Sequence, residues 1–152
     1  MVNYRGYFMF YKVFCLSCLV VILGFYALMD ERLCVEDKFC YNIKVAKTPK
    51  KMSEGLMFVK SMPENEGMLF DFRLYDRKGV AMWMKNTFIY LDMVFIGCDK
   101  KIKDVYRNAK PHSLERIKSN EDFCYILEIN GGEFDKRGMK IGDDVKLKRL
   151  HI

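Results

Sequence analysis

Residues 82–87 read MWMKNT, a segment that mixes thioether, aromatic, cationic, amide and hydroxyl side chains. Side chains alternate between the two faces of a strand, so an extended segment would bring Trp83, Lys85 and Thr87 to one face. An aromatic plate beside an ammonium group and a hydroxyl suits a small anionic or polyhydroxy ligand. Two later acids could complete such a pocket. The predicted ligand-binding residues are Trp83, Lys85, Asn86, Thr87, Asp92 and Glu128.

The same segment also has a purely structural interpretation, which is the simpler of the two. Trp83, the only tryptophan in the chain, would fill the core, and the stem of Lys85 would lie along its ring with the charge in solvent. Asn86 or Asp92 would cap a turn by bonding to nearby backbone groups. Polar residues inside short β motifs commonly satisfy backbone groups in this way, so the sequence leaves both interpretations open.

Two further kinds of chemistry are compatible with the sequence. Asp92 and Glu128 could act as general acid and base in a small hydrolase-like enzyme, provided that their environments separate their pKa values. Met82 and Met84 would share a strand face, and thioethers suit Cu(I) in an oxidising compartment. A methionine-rich core strand explains the same pair more simply. Cysteine and histidine residues with zinc-site spacing are absent, so no metal or cofactor is expected.

Four cysteines follow the apolar N-terminal region. Cys34 and Cys40 flank the polar residues 36–38 and could face each other across a tight hairpin. In an oxidising compartment such a pair is expected to form a disulfide bond, provided that the two Cα atoms are close enough. Cys98 and Cys124 fit small buried core residues equally well.

Residues 13–28 read VFCLSCLVVILGFYAL and contain no charged side chain. With the apolar residues just before Lys12, the region approaches the roughly 20 residues that span a bilayer as a helix. Two basic residues precede it and two acids follow it, so the positive-inside rule puts the rest of the chain outside the cytoplasm. An uncleaved signal anchor is predicted. A cleaved signal peptide, lipidation at Cys18 and a buried core helix fit less well, the first because Ala27 lacks a small residue two positions earlier.

The whole chain has 152 residues, of which 30% are charged and 51% apolar, and its formal net charge is +6. This length suits one globular domain behind a targeting segment. Basic residues are dispersed, without a run that interleaves with aromatics, so nucleic acid is not an expected partner. Residues 1–29 are therefore predicted to be a signal anchor or signal peptide, and residues 30–152 a single β-rich domain.

Hydrophobic periodicity predicts several short strands. Residues 39–46 alternate between apolar and polar side chains, and Thr48-Pro49 is a typical helix start in which Thr48 caps the free backbone N–H groups. Gly131-Gly132 opens a second short helix. Closely spaced strands without long helices favour antiparallel pairing that closes into a barrel or a barrel-like sandwich. The predicted class is mostly β (β-rich α+β): a small antiparallel barrel-like domain with two short helices, preceded by one N-terminal transmembrane or signal helix. The other predicted strands are residues 68–72, 80–85, 91–98, 102–107, 123–129 and 145–150.

Four segments carry a family resemblance: EGLMFVKSMPENEGMLFDF, VAMWMKNTFIYLDMVFI, CYILEINGG and GMKIGDDV. In order and spacing they closely resemble domain of unknown function 192, a widespread prokaryotic family of uncharacterised proteins. The resemblance extends over residues 39–150. It implies a compact, mostly β fold that often follows an export signal, and it implies no established reaction. The chain departs from the family pattern at Val59, Met82 and Tyr90, where the family commonly has a basic residue, an aromatic and a proline.

The leading functional hypothesis is an extracytoplasmic, membrane-tethered binding or accessory domain for a small polar or carbohydrate-like ligand. A small enzyme that uses Asp92 and Glu128 is the first alternative. An envelope assembly partner, or a Cu(I)-binding protein that uses Met82 and Met84, is the second. The predicted location is the inner or plasma membrane, with a single pass and a periplasmic C-terminal domain. The expected partners are the membrane, through the N-terminal segment, and a small ligand or an envelope protein.

Overall fold

A computed structural model describes residues 31–149, and the predicted signal anchor at residues 13–28 lies outside them. Within the described part of the chain, no helix has the length and apolar character needed to cross a bilayer. The described residues form seven strands and two short helices. In chain order these are β1 (Glu31–Val35), β2 (Phe39–Ala46), α1 (Pro49–Glu54), β3 (Glu66–Asp71), β4 (Leu91–Ile96), β5 (Ile102–Ala109), β6 (Tyr125–Asn130), α2 (Glu133–Lys136) and β7 (Val145–Arg149).

The seven strands form one curled sheet, a half-barrel with the order β5-β4-β6-β3-β2-β1-β7. The prediction of a mostly β domain with two short helices is confirmed. The prediction of antiparallel pairing is confirmed for β1–β2, β3–β6, β4–β5 and β4–β6, but it is wrong for β2 and β3, which run parallel. The sheet forms a half-barrel and not the closed barrel that was expected. Parallel neighbours need a crossover connection, and the segment that contains α1 provides it. Because α1 has only six residues, the sequence pattern did not indicate a crossover between parallel strands.

Local signals explain why the elements around α1 form where they do. Tyr41 and Ile43 of β2 are buried, as their alternation with polar neighbours predicts. The Thr48 hydroxyl accepts a hydrogen bond from the backbone N–H of Lys51 at 3.3 Å, and Pro49 follows it in the first turn. The helix ends at Gly55, where φ is 50°. These caps fix where α1 begins after β2 and where it ends.

Each face of the sheet carries its own apolar cluster. The α2-side core includes Leu69, Val94 and Leu127, which are cross-strand neighbours, together with Phe134 of α2. The α1-side core lies on the opposite face, because strand residues alternate between the faces. The α1-side core includes Leu56, Phe70, Phe72, Met82, Met84, Met93, Phe95 and Ile126.

Residues 80–85 do not form the predicted strand. A single bridge joins Met82 to Ile117, with both backbone N–H···O distances at 2.9 Å. The alternation within this segment nevertheless persists, since Met82 and Met84 are buried whereas Trp83 and Lys85 are exposed. The segment ends at a turn, so it is too short and too irregular to build a ladder.

Only glycine fits at position 67 in β3, because the neighbouring strand leaves no room for a side chain. A Cβ atom added there would lie 2.7 Å from the backbone carbonyl oxygen of Glu128. We expect Gly67→Ala to lower the free energy of unfolding by roughly 1–3 kcal/mol, because the β3–β6 pair would have to separate. Urea denaturation measures this loss. Asn120→Ala, in an exposed loop, is the control and should change stability by less than about 0.5 kcal/mol. Equal losses for the two variants would contradict the close-packing argument.

Candidate functional site

A cavity of about 380 Å³ on the α1 side of the sheet is the candidate functional site. Residues of β3 and β6, of α1 with the turn after it, and of the segment 79–87 line it. Its volume lies within the range of roughly 300–1,000 Å³ that small-molecule sites occupy. Most of the lining is apolar, and a few polar side chains interrupt it, which is the composition expected of such a site.

Glu128 is the most unusual of these polar residues. It lies in the middle of β6, directly opposite Met68 of β3 and Met93 of β4. The residue is only 4% exposed, and its Oε2 atom has no hydrogen-bond partner among the described residues. Burial raises the pKa of Glu128 to about 8, so the carboxyl group is mostly protonated at neutral pH. A protonated carboxyl both donates and accepts hydrogen bonds, and this one needs a partner from the cavity.

Thr87 is a second buried polar side chain that lines the cavity. Its backbone N–H donates to the carbonyl of Met84 at 3.1 Å, closing a turn in which Asn86 has a φ of 55°. The turn reverses the strand alternation, so Thr87 is buried whereas Trp83 and Lys85 are exposed. The Thr87 hydroxyl donates only one long bond, 3.4 Å to the carbonyl of Lys85, and retains capacity to bind a ligand.

Trp83 and Lys85 lie at the mouth of the cavity. Trp83 is 44% exposed, so it does not fill the core as the structural interpretation required. The Lys85 ammonium lies 5.3 Å from the centroid of the Trp83 ring, a cation–π distance. Arg116 also lines the cavity. The mouth therefore combines an accessible aromatic face with two cationic groups.

Asp92 lies away from this cavity. It is completely buried, and its carboxylate accepts hydrogen bonds from the backbone N–H of Asn108 at 2.8 Å and of Phe134 at 2.9 Å. The β4–β6 register pairs Asp92 with Ile129, whereas Glu128 is paired with Met93. Asp92 and Glu128 therefore point to opposite faces of the sheet. The geometry gives them separate roles and does not support a shared acid–base pair.

The predicted ligand-binding set thus divides into two groups. Four of its members line the cavity, namely Trp83, Lys85, Thr87 and Glu128. Asn86 and Asp92 do not line it; the carbonyl of Asn86 instead accepts a hydrogen bond from the N–H of Phe58 at 2.8 Å. The capping role in the structural interpretation matches Asp92, whose carboxylate binds two backbone N–H groups. Asn86 lies in a turn with a φ of 55°, and the carbonyl that binds Phe58 is the one of its backbone.

Sequence reasoning missed Arg116 and the apolar lining of the cavity. Arg116 lies in a polar loop without a motif, and only its neighbour Ile117, through the bridge to Met82, brings it to the site. No pattern in the sequence distinguishes the apolar residues that line the cavity from those that fill the core. The apolar residues involved are Met52, Leu56, Met57, Phe70 and Phe72.

Every cysteine in the described residues is paired. Cys34 and Cys40 are opposite each other in the β1–β2 register, with Cα atoms 4.0 Å apart, and a disulfide bond joins them. Cys98 and Cys124 form a second disulfide bond, with a Cα separation of 4.9 Å. Cys98 is exposed, so only Cys124 fits the alternative of a small buried core residue.

The methionines considered as Cu(I) ligands lie in the α1-side core. Met84 is 1% exposed, and Met82 is 9% exposed and lines the cavity. Both pack among aromatic and aliphatic side chains, where thioethers are common filling groups. Within residues 31–149, no three His, Cys, Asp or Glu side chains come close enough together to hold a metal ion.

Residues 33–147 match the profile of domain of unknown function 192 (DUF192), whose description reads only Uncharacterized ACR. The chain belongs to the DUF192 family. The matched residues include three of the five residues of β1, three of the five of β7, everything between these strands and every residue of the cavity. The segments that carried the sequence resemblance therefore identify the family correctly, and the DUF192 domain is the unit that contains the candidate site.

Two solved structures resemble this DUF192 domain. A protein of unknown function from Novosphingobium aromaticivorans has a TM-score of 0.71 and 30% identity, over 76% of this chain and 83% of that one. A candidate transcription regulator from Sinorhizobium meliloti has a TM-score of 0.70 and 36% identity, over 78% of this chain and 92% of that one. Neither description specifies a ligand or a reaction.

A curated relative matches this chain over only a small part of its own length. The exocyst complex protein EXO70 of Candida glabrata is 32% identical over an alignment of 125 residues that covers 73% of this chain. The matched region spans only 20% of that protein's length. The similarity concerns a segment of the size of one DUF192 domain.

Proposed function

We propose that this DUF192 domain binds a small, hydroxyl-rich, carbohydrate-like ligand in the Glu128 cavity. One observation carries the proposal: a buried carboxyl group lines the cavity and has an oxygen without a partner among the described residues. Buried polar groups are nearly always hydrogen-bonded, so this oxygen is expected to bond to water or to a ligand. The cavity is large enough for a molecule of monosaccharide size.

The chemistry of the lining favours hydroxyl groups in the deep part of the cavity. A protonated Glu128 can donate one hydrogen bond and accept another, as can the hydroxyl of Thr87. A sugar hydroxyl offers the complementary donor and acceptor. The exposed ring of Trp83 provides a flat surface for the C–H face of a sugar ring, and Phe70 and Phe72 supply apolar contacts.

Binding is favoured over acid–base catalysis for a geometric reason. A general acid and a general base must both reach the same reacting atoms. Glu128 lines the cavity, but Asp92 is on the other face of the sheet and is already bonded to two backbone N–H groups. One carboxyl group and one hydroxyl suffice to orient a ligand.

We further propose that the domain works outside the cytoplasm, tethered by the apolar segment 13–28. Two observations support this location. The segment contains no charged side chain, and with the apolar residues just before Lys12 it approaches the roughly 20 residues that span a bilayer as a helix. In addition, all four cysteines within residues 31–149 form disulfide bonds, which persist in oxidising compartments.

The test is a titration of the full-length protein, in a mild detergent, with glucose, galactose and N-acetylglucosamine. We expect heat from at least one of these sugars in isothermal titration calorimetry. Thr87→Val, which removes the hydroxyl but keeps the shape, should weaken that binding roughly 5- to 15-fold, the cost of one hydrogen bond. Ser61→Ala, in an exposed loop, is the control and should bind like the natural protein. The absence of binding for all three sugars would count against the proposal.

A further inference from the structure

A second cavity, of about 420 Å³, borders the mouth of the Glu128 cavity. Ala81, Met82, Trp83, Lys85 and Arg116 line both cavities. These residues form a ridge on which the two cavities meet, and both cationic side chains of the mouth belong to it. A ligand held in the Glu128 cavity would therefore have its outer end beside Lys85 and Arg116.

The charges around this ridge are not balanced. Four ionisable side chains line the two cavities: Glu54, Lys85, Arg116 and Glu128. Glu54 lies 3.9 Å from Lys50 in an exposed ion pair, and burial keeps Glu128 mostly neutral. Lys85 and Arg116 have no carboxylate partner anywhere in residues 31–149. The mouth consequently presents positive charge over a neutral interior.

We infer that the ligand is a hydroxylated carboxylic acid, such as a sugar acid. Its carboxylate binds Lys85 and Arg116 on the ridge, and its hydroxyl groups reach Glu128 and Thr87 in the interior. The inference rests on the proposed function, because it names the chemical class of the molecule that the same cavity takes.

Charge and geometry select this class over the alternatives. Arginine recognises carboxylates through paired N–H groups, and lysine adds a point charge. The Trp83 ring holds the Lys85 ammonium at 5.3 Å, which keeps that charge beside the mouth. A cationic ligand would be repelled by both groups at the mouth. A neutral sugar would make the interior contacts but would leave both cations without a partner.

The experiment compares glucuronate, glucose and glucosamine in calorimetric titrations of the full-length protein in a mild detergent. We expect glucuronate to bind on the order of tenfold more tightly than glucose, and this preference should decline as salt is raised from 50 to 500 mM. Lys85→Gln combined with Arg116→Gln should bring the ratio of the two affinities close to one. Lys110→Gln, an exposed lysine outside both cavities, is the matched control and should leave the ratio unchanged.

The outcomes separate the inference from the proposed function. Equal affinity for glucuronate and glucose overturns the inference and leaves the proposed function intact. A glucuronate preference that survives in the double variant overturns the assignment to Lys85 and Arg116, and so does tighter binding of glucosamine. Failure of all three sugars to bind overturns both proposals.

Discussion

Glu128→Gln should remove most of the pH dependence of this domain's stability between pH 4.5 and 8. Burial raises the pKa of Glu128 from 4.5 to about 8 in the folded protein. Within that range the folded state keeps a proton that the unfolded state releases. The free energy of unfolding of the natural protein therefore falls as the pH rises, and it levels off above pH 8. Glutamine cannot ionise, so the variant lacks this decline.

The expected difference in the free energy of unfolding between Glu128→Gln and the natural protein is largest in alkaline solution. At pH 9 the variant should be more stable than the natural protein by on the order of a few kcal/mol, and near pH 4.5 the two should be similar. The charged groups that share the cavity are Glu54, Lys85 and Arg116; the two cations favour the ionised carboxylate and reduce the difference. All three are exposed, so solvent weakens their influence.

Urea titrations of the full-length protein at pH 5, 7 and 9 measure this effect, with the fluorescence of Trp83 as the signal. Trp83 is the only tryptophan in the chain, so it reports on this domain. Glu115→Gln, at an exposed site, is the matched control and should shift stability equally at every pH. A constant difference between Glu128→Gln and the natural protein across the pH range would contradict the buried, protonated carboxyl.

Asp92→Ala is expected to cost roughly 3–5 kcal/mol of stability. Its carboxylate accepts the backbone N–H groups of Asn108 and Phe134, and the residue is completely buried. Removing it leaves two N–H donors without an acceptor in the interior, each at about 1–3 kcal/mol. The bond to Phe134 fixes the start of α2, and the bond to Asn108, where φ is 51°, fixes the end of β5. Both elements should loosen together.

The same urea titrations check this prediction, and Asp92→Asn refines it. Asparagine retains one acceptor oxygen and should lose less stability than alanine. Asp122→Ala removes an exposed aspartate 3.4 Å from Arg77 and should cost about 1 kcal/mol or less. A loss below about 1 kcal/mol for Asp92→Ala would contradict its structural role.

Two neighbouring strands thus carry two buried carboxyl groups with different tasks. Asp92 of β4 has backbone partners for both oxygens, and it holds the α2 side of the sheet together. Glu128 of β6 has an unpartnered oxygen, and it faces a cavity on the α1 side. A carboxyl group with backbone partners stabilises the fold, whereas one without them is free to meet a ligand.

The register between strands explains why the sequence could not separate these roles. Both acids occur in short apolar strands, and both belong to the segments that identify the DUF192 family. Whether two strand residues share a face depends on which residues are opposite across the ladder, and a shift by one residue reverses the answer. The pairing of Met93 with Glu128 is a contact between residues far apart in the chain, so no local pattern contains it.

The sequence by itself determined the elements whose causes are local. Apolar alternation located β2, the Thr48-Pro49 pair located the start of α1, and the short spacing of Cys34 and Cys40 predicted a hairpin in which they face each other. Tertiary structure alone decided the parallel β2–β3 pair, the burial of Glu128 and the presence of Arg116 in the same cavity lining as Trp83. Propensity, capping and hairpin closure act within a few residues of the chain. Burial and strand register arise only when distant segments pack against each other, and the candidate site consists of such contacts.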